Sequence, residues 1–199
     1  MELKTITSPI FLLRYSNLVK KDENGKYGIT MVFLKNTNIS EMKTYIDSMV
    51  EHYFGKNANI NTINYPLKEG KNKIYKKNPD GTSSGWVGME DGMWYMHTTT
   101  QSELQFFDKM GCIIPKDQVE SEFYDGCFCR AKLFLKKYDK NLPKIKLPSI
   151  TAYLNGIQKV MDGERILKVK REPFEAVKNE EIKNSGIPEN YVEMGDIPF

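Results

Sequence analysis

Six residues between positions 128 and 138 alternate ring with cation: Phe128, Arg130, Lys132, Phe134, Lys136 and Tyr138. Successive side chains of an extended strand point to opposite faces, so these six share one face. Cys127, Cys129, Ala131, Leu133 and Leu135 share the other. The small, apolar face suits the interior of a barrel. The aromatic and basic face has the chemistry of a single-stranded nucleic-acid platform, with rings on which bases stack and cations beside them for the phosphates. The competing reading buries those rings under a loop or helix and leaves the cations as a solvated rim. Residues 68–94 repeat the combination less regularly: Lys68, Lys71, Lys73, Lys76 and Lys77 are interleaved with Tyr75, Trp86 and Trp94 on a glycine-rich backbone. Such a loop could close over a bound strand, or be a solvated charge run with buried tryptophans. The expected stacking residues are therefore Phe128, Phe134, Tyr138, Trp86 and Trp94, and the expected phosphate contacts are Arg130, Lys132, Lys136, Lys76 and Lys77. A third basic stretch, 136–146, would extend the same groove.

Charge points the same way. Residues 1–171 carry 27 Lys+Arg against 19 Asp+Glu, and residues 172–199 carry 2 against 7, so a basic body precedes an acidic tail. That asymmetry suits a polyanionic partner, although acidic tails also serve solubility alone. Of the 29 basic residues only Arg14, Arg130, Arg165 and Arg171 are arginine. A lysine-rich set suits contacts to a flexible phosphate backbone better than bidentate reading of base edges. The tail ends in Asp196-Ile197-Pro198-Phe199. There a ring and a free carboxylate stand together on a proline-fixed backbone, a short peptide that can dock in an apolar pocket beside an Arg or Lys of a partner.

Catalytic constellations are weak by comparison. His97, Cys112, Cys127 and Cys129 could compose a zinc set, but the spacing is not that of a zinc knuckle and the strand pattern buries two of the thiols. Glu90, Asp91, Glu120, Glu122 and Asp125 could hold Mg²⁺ for a nuclease, yet they fall in turns without a recognisable acid–acid–Lys grouping. No phosphate-binding G-x-x-x-x-G-K-[ST], H-E-x-x-H or G-x-S-x-G motif occurs. No enzyme activity, cofactor or metal is expected.

The elements that must position the platform follow from pattern. Residues 5–19 read as an edge or bulged strand interrupted at Ser8 and Pro9, and residues 26–35 as its hairpin partner across the turn at Gly25. A helix is predicted from Asn38 or Ser40 to Gly55, with Met42, Tyr45, Ile46, Met49, Val50 and Tyr53 at helical spacing. Residues 56–92, rich in Asn and Gly, form a long loop with a short strand near 73–77. Further strands are predicted at 93–100, around 112–114, at 123–138 and at 149–161. From 171 onward periodicity fades into a flexible tail. The fold expected is mainly β: an OB-like barrel of five to six strands with one helix and long loops, an immunoglobulin-like sandwich being second. It gives one binding domain over 1–171 and a tail over 172–199. Three cysteines fit a reducing cytoplasm, the start Met1-Glu2-Leu3-Lys4 lacks a secretory leader, and no apolar run approaches the ~20 residues of a membrane span.

The segments 26–33 (KYGITMVF), 123–131 (FYDGCFCRA) and 151–164 (TAYLNGIQKVMDGE) resemble a family of phage single-stranded-DNA-binding proteins related to those of short-tailed phages. The DIPF ending resembles the C-terminal tip of bacterial single-stranded-DNA-binding proteins, with Met194 and Gly195 where those tips carry consecutive acids. The resemblance implies an OB-like barrel that binds single-stranded DNA without sequence preference in replication, recombination or repair. It also implies recruitment of replication or recombination proteins through Asp196, Ile197, Pro198 and Phe199, and it is compatible with a homodimer. The helix after the second strand rather than the third departs from the usual OB arrangement. An RNA-binding or strand-annealing module is the alternative, and a Mg²⁺-dependent nuclease a more distant one.

Overall fold

Among the described residues ten strands and two α-helices emerge where β-branched and aromatic runs alternate with Gly, Pro and Asn punctuation. The computed structural model describes residues 5–70, 76–77, 83–84, 90–138 and 147–166. In chain order these are β1 (Thr5–Thr7), β2 (Phe11–Asn17), β3 (Tyr27–Phe33), the helix α1 (Ser40–Phe54), β4 (Leu67–Glu69), β5 (Lys76–Lys77) and β6 (Ser83–Ser84). There follow β7 (Trp94–Thr100), β8 (Gln105–Phe107), the one-turn helix α2 (Val119–Glu122), β9 (Phe128–Tyr138) and β10 (Ser149–Met161). Among the described residues no helix is long and apolar enough to cross a membrane.

Five strands close on themselves in the order β2, β3, β7, β10, β9 and back to β2. Every pairing within this circuit is antiparallel except β7 with β10, where Tyr153 lies parallel to Thr99. This is the circuit of an OB-like barrel, and closure leaves none of its five strands as a bare edge. β1 adds to β9, β8 to β10 and β4 to β7 outside the circuit, while β5 and β6 pair with each other. The interior is mainly apolar: Phe11, Leu13, Ile29, Met31, Phe33, Met96, Leu133 and Leu154 are each at most 1 % exposed. α1 lies between the second and third strands of the circuit and leaves its order intact. It buries Met42, Ile46, Met49 and Val50 against this core. Asn38 Oδ1 accepts from Ser40 N at 3.0 Å at its start, and Gly55, at φ +90°, ends it where a side chain would be strained.

The break between β1 and β2 is built by two residues. Pro9 has no N–H to give to β9, and Ser8 compensates: its N donates to Ala131 O at 2.8 Å and its Oγ accepts from Ala131 N at 2.9 Å. The expected bulged strand is therefore present.

Other elements differ from expectation. The strand predicted from 123 begins at Phe128, because residues 124–126 turn at Gly126 (φ +113°). A Cβ there would collide with the carbonyl of Glu164, which passes against it. Around 112–114 there is only a bridge from Ile113 to Phe107, and the strand of that neighbourhood is β8. α2, four residues long, has no periodicity to reveal it. The expected boundary at 171/172 and the tail lie outside the described residues.

Candidate nucleic-acid interface

β9 keeps strict two-residue alternation because both its faces are under demand. Cys129, Ala131, Leu133 and Leu135 are buried in the barrel, joined by Cys127 just before the strand. Arg130, Lys132 and Lys136 are exposed on the outside, and Phe128, Phe134 and Tyr138 are half-buried there. The outer face thus carries the alternation of ring and cation read from the sequence.

β10 completes that face. Its register sets Tyr153 opposite Phe134, and the two rings stack with centroids 5.0 Å apart and planes 9° from parallel. Tyr138 continues the aromatic surface 6.4 Å from Tyr153, and the hydroxyls of these two tyrosines are hydrogen-bonded. Burial, with the Tyr138 hydroxyl beside it, holds the Tyr153 phenol well above the usual tyrosine range, so it stays neutral at physiological pH. Lys136 Nζ sits 5.7 Å from the Tyr138 ring centroid. Among the described residues neither Lys132 nor Lys136 has a carboxylate partner. A base can lie over such rings while a free ammonium meets its phosphate.

Beyond Phe134 the same face sinks into a groove of about 380 Å³, lined by Thr7, Phe107, Lys109, Met110, Arg130, Lys132, Gly156 and Gln158. Gly156 lies opposite Lys132 and supplies floor without a side chain. Arg130 is held across it: Nε donates to Gln158 Oε1 at 2.6 Å, while Gln158 Nε2 donates to the carbonyls of Asp108 (2.8 Å) and Lys109 (3.2 Å). Sequence reasoning missed Tyr153 and Lys109. The alternation within 149–161 could have revealed the first. The second arrives from a turn that no local signal ties to β9.

Trp94 is half-buried against the barrel core, opposite Phe33, and is not brought to the β9–β10 face. Lys76 and Lys77 form β5, paired with Ser84 and Ser83. Trp86 and Asp196, Ile197, Pro198 and Phe199 lie outside the described residues. The weighed zinc set is dispersed: Cys127 and Cys129 are inside the barrel, Cys112 is exposed in a turn, and His97 is exposed on β7 beside Thr30. Of the weighed magnesium ligands, Glu90 faces Lys35 and Glu122 accepts from Lys159. Asp125 is buried, where it accepts from Tyr15 N, Ser16 N and Ser16 Oγ at 2.7–3.0 Å. Among the described residues no group of three or more His, Cys, Asp and Glu converges as a metal site.

A second cluster of charges lies where β10 ends. Lys159 Nζ, mostly buried, donates to Glu122 at 2.7 Å and Asp162 at 2.8 Å, and the Tyr124 hydroxyl also donates to Asp162 at 2.8 Å. Arg165 covers the Tyr124 ring at 4.0 Å, and Ile166 N donates to Asp125 O at 2.8 Å. These contacts clasp residues 162–166 to the barrel.

Comparison with known proteins matches this geometry to relatives. The family model described as "Enterobacter phage Enc34, ssDNA-binding protein" matches residues 12–184. No curated protein sequence matches the chain significantly. Among solved structures, the single-stranded DNA-binding protein from bacteriophage Enc34 superposes with a TM-score of 0.61 at 19 % identity, over 84 % of this chain and 87 % of that one. The same phage protein in complex with ssDNA gives 0.61 at 21 % identity, over 82 % and 89 %. Gp2.5, a single-stranded DNA binding protein encoded by bacteriophage T7, gives 0.58 at 14 % identity, over 88 % and 100 %. At these identities the superpositions establish the shared fold.

Proposed function

Since the chain belongs to the family of phage single-stranded DNA-binding proteins typified by that of Enterobacter phage Enc34, we propose that it binds single-stranded DNA without sequence preference along the outer face of β9 and β10. The observation that carries this reading is the parallel Phe134–Tyr153 pair, flanked by Lys136 on one side and by Lys132 and Arg130 on the other. Bases stack on the rings, and the cations take the phosphates. The family is one of single-stranded DNA-binding proteins, not of enzymes. The biological setting we infer is phage replication or recombination in the host cytoplasm, where displaced strands need protection and removal of hairpins. Residues 172–199, an acidic segment, then recruit a replication or recombination protein through Asp196, Ile197, Pro198 and Phe199.

The test of binding is fluorescence anisotropy with labelled oligo-dT, competed by duplex DNA and by oligo-U of equal length. Preference for oligo-dT supports the reading, equal or tighter binding of oligo-U supports the RNA alternative, and cleavage of the probe in Mg²⁺ would establish a nuclease. The tip is tested by pull-down from phage-infected lysate with the intact chain and with Phe199 deleted. Loss of specific partners on deletion supports recruitment, and identical partner sets refute it.

A further inference from the structure

The cations of the β9–β10 face are unevenly spread. Around the rings of Phe134, Tyr153 and Tyr138 the cation is Lys136. Beyond Phe134 the stacked rings give way, and Lys132, Arg130 and Lys109 together line the one groove of about 380 Å³. Its floor crosses four strands, with Thr7, Lys132, Gly156 and Gln105 side by side on β1, β9, β10 and β8. A Cβ on Gly156 would stand 3.5 Å from the Phe107 ring, so the glycine keeps that floor open. Among the described residues no carboxylate or histidine lines the groove, and none pairs with its three cations.

Two of these cations are held in place by the same side chain. Gln158 accepts from Arg130 Nε, and its amide nitrogen donates to the carbonyls of Asp108 and Lys109. The turn that carries Lys109 is closed further by Asp108, which accepts from Cys112 N at its side chain (2.8 Å) and from Gly111 N at its carbonyl (3.0 Å). Past Arg130 the cationic track stops. The surface runs over Ile10 and Val160 to Lys159, whose ammonium is taken up by Glu122 and Asp162. A strand that followed the face from Tyr138 would meet carboxylates after the groove instead of further free cations.

We propose that this groove seats the terminal phosphate of a single-stranded DNA end, a phosphomonoester, with Arg130, Lys132 and Lys109 around it and the strand leading away over Phe134, Tyr153 and Tyr138. The proposal rests on the reading of β9–β10 as the DNA-binding face and adds which part of the strand lies where. An internal phosphodiester carries a single negative charge. A phosphomonoester carries about −1.5 to −2 at neutral pH, on three strong acceptor oxygens. Three convergent cations, one of them a tethered guanidinium suited to a forked contact, match the second group better than the first. The volume is that of a small-ligand site, about 300–1,000 Å³, rather than of a track for a continuous chain.

The test is competition anisotropy on the full-length chain, with unlabelled oligo-dT of about eight residues bearing a 5′-phosphate, a 3′-phosphate or hydroxyls at both ends. One phosphorylated end should bind about 5-fold or more tighter than the hydroxyl oligomer at low salt, because a strand laid in one polarity brings only one end to the groove. With no titrating side chain lining the groove, that ratio should grow from about pH 5.5 to about pH 7.5 as the phosphate gains its second charge. Arg130→Ala should bring the ratio close to one. Lys109→Ala, in an exposed turn, should lower it without touching the barrel. Phe134→Leu should weaken all three oligomers alike and leave the ratio standing. Equal binding of all three by the wild type would overturn the proposal. So would an equal advantage at both ends, or one that survives Arg130→Ala and Lys109→Ala, since either is the general pull of added charge. A wild type that binds none of them at low salt would instead bring down the underlying reading of the face.

Discussion

Removing the Phe134 ring separates platform from packing. The ring is half-buried and stacks on Tyr153, so Phe134→Ala loses both a surface for a base and some native contact. Complete burial of a Phe is worth about 3–5 kcal/mol against Ala. A half-exposed ring forfeits roughly half of that, including the ~0.5–1.5 kcal/mol of an aromatic pair. A domain of ordinary stability, about 5–15 kcal/mol, survives this loss. One stacked base is worth about 1–3 kcal/mol, so oligo-dT affinity should fall about 5- to 150-fold. Thermal melts by circular dichroism beside anisotropy titrations measure both quantities on one sample. Phe134→Leu supplies the control, since it restores most of the apolar volume but no π face: stability should return and affinity should not. Tyr153→Phe keeps the stack and drops only the hydroxyl pair with Tyr138, so affinity should hold. Folded Phe134→Ala and Phe134→Leu proteins that bind within twofold of wild type would refute stacking at this position.

With about 4–6 phosphates neutralised, log K against log salt should slope at roughly −3 to −4, and alanine at both Lys132 and Lys136 should flatten it by one to two contacts of about 0.7 each; a slope near zero in the wild type would remove the electrostatic argument. Native protein should expose one reactive thiol, Cys112, to a water-soluble thiol reagent, and all three only after unfolding, because Cys127 and Cys129 lie inside the barrel 3.5 Å apart. The clasp at Asp162 should appear in the pH dependence of melting. The bond from Lys159, then that from Tyr124, holds the Asp162 carboxyl below 3.8, so its contribution is present above that value and lost as pH falls through the lower folded one. Burial pulls Lys159 down, but its bonds to Asp162 and Glu122 outweigh this and raise it above 10.5, so its contribution persists into alkaline solution. Asp162→Asn should therefore lower the melting temperature at neutral pH and match wild type only once the pH has fallen through the lowered folded value; a difference that does not close in acid would show another cause.

β9 was legible because two opposed demands, an apolar interior and a charged exterior, each enforce a period of two over eleven residues. α1 was legible for a similar reason, one face buried and its ends marked by Asn38 and Gly55. What joins them was not. The bonds from Tyr15 and Ser16 to Asp125 span 110 and 109 positions, and nothing local distinguishes this aspartate from one poised for a metal. Trp94 shows the complementary limit. A tryptophan among lysines has the same composition whether it faces a base or the core, and only the pairing of β7 with β3 puts it opposite Phe33. Arg14 sits in a strand whose apolar pattern announces burial, but that its Nε and Nη1 have no hydrogen-bond partner among the described residues is visible only in three dimensions.

The proposed lack of sequence preference rests on how the groove engages its polar groups. Reading a base edge takes a fixed pair of free polar atoms, as Asn and Gln supply for adenine and Arg for guanine. Among the described residues, Gln158 is the side-chain amide that lines the groove, and both its ends are occupied: the oxygen accepts from Arg130 and the nitrogen donates to the carbonyls of Asp108 and Lys109. Its work is to fix Arg130, whose remaining donors suit phosphate oxygens. Lysine ammonium groups and ring faces make up the rest of the platform, and neither distinguishes one base from another. Gln158→Ala should therefore loosen Arg130 and weaken binding to oligo-dT and oligo-dC by the same factor, because it removes a tether and not a reader. Parallel anisotropy titrations on the two homopolymers measure that factor. A loss confined to one of them would mean that Gln158 leaves its carbonyl partners to contact a base, and that the groove discriminates.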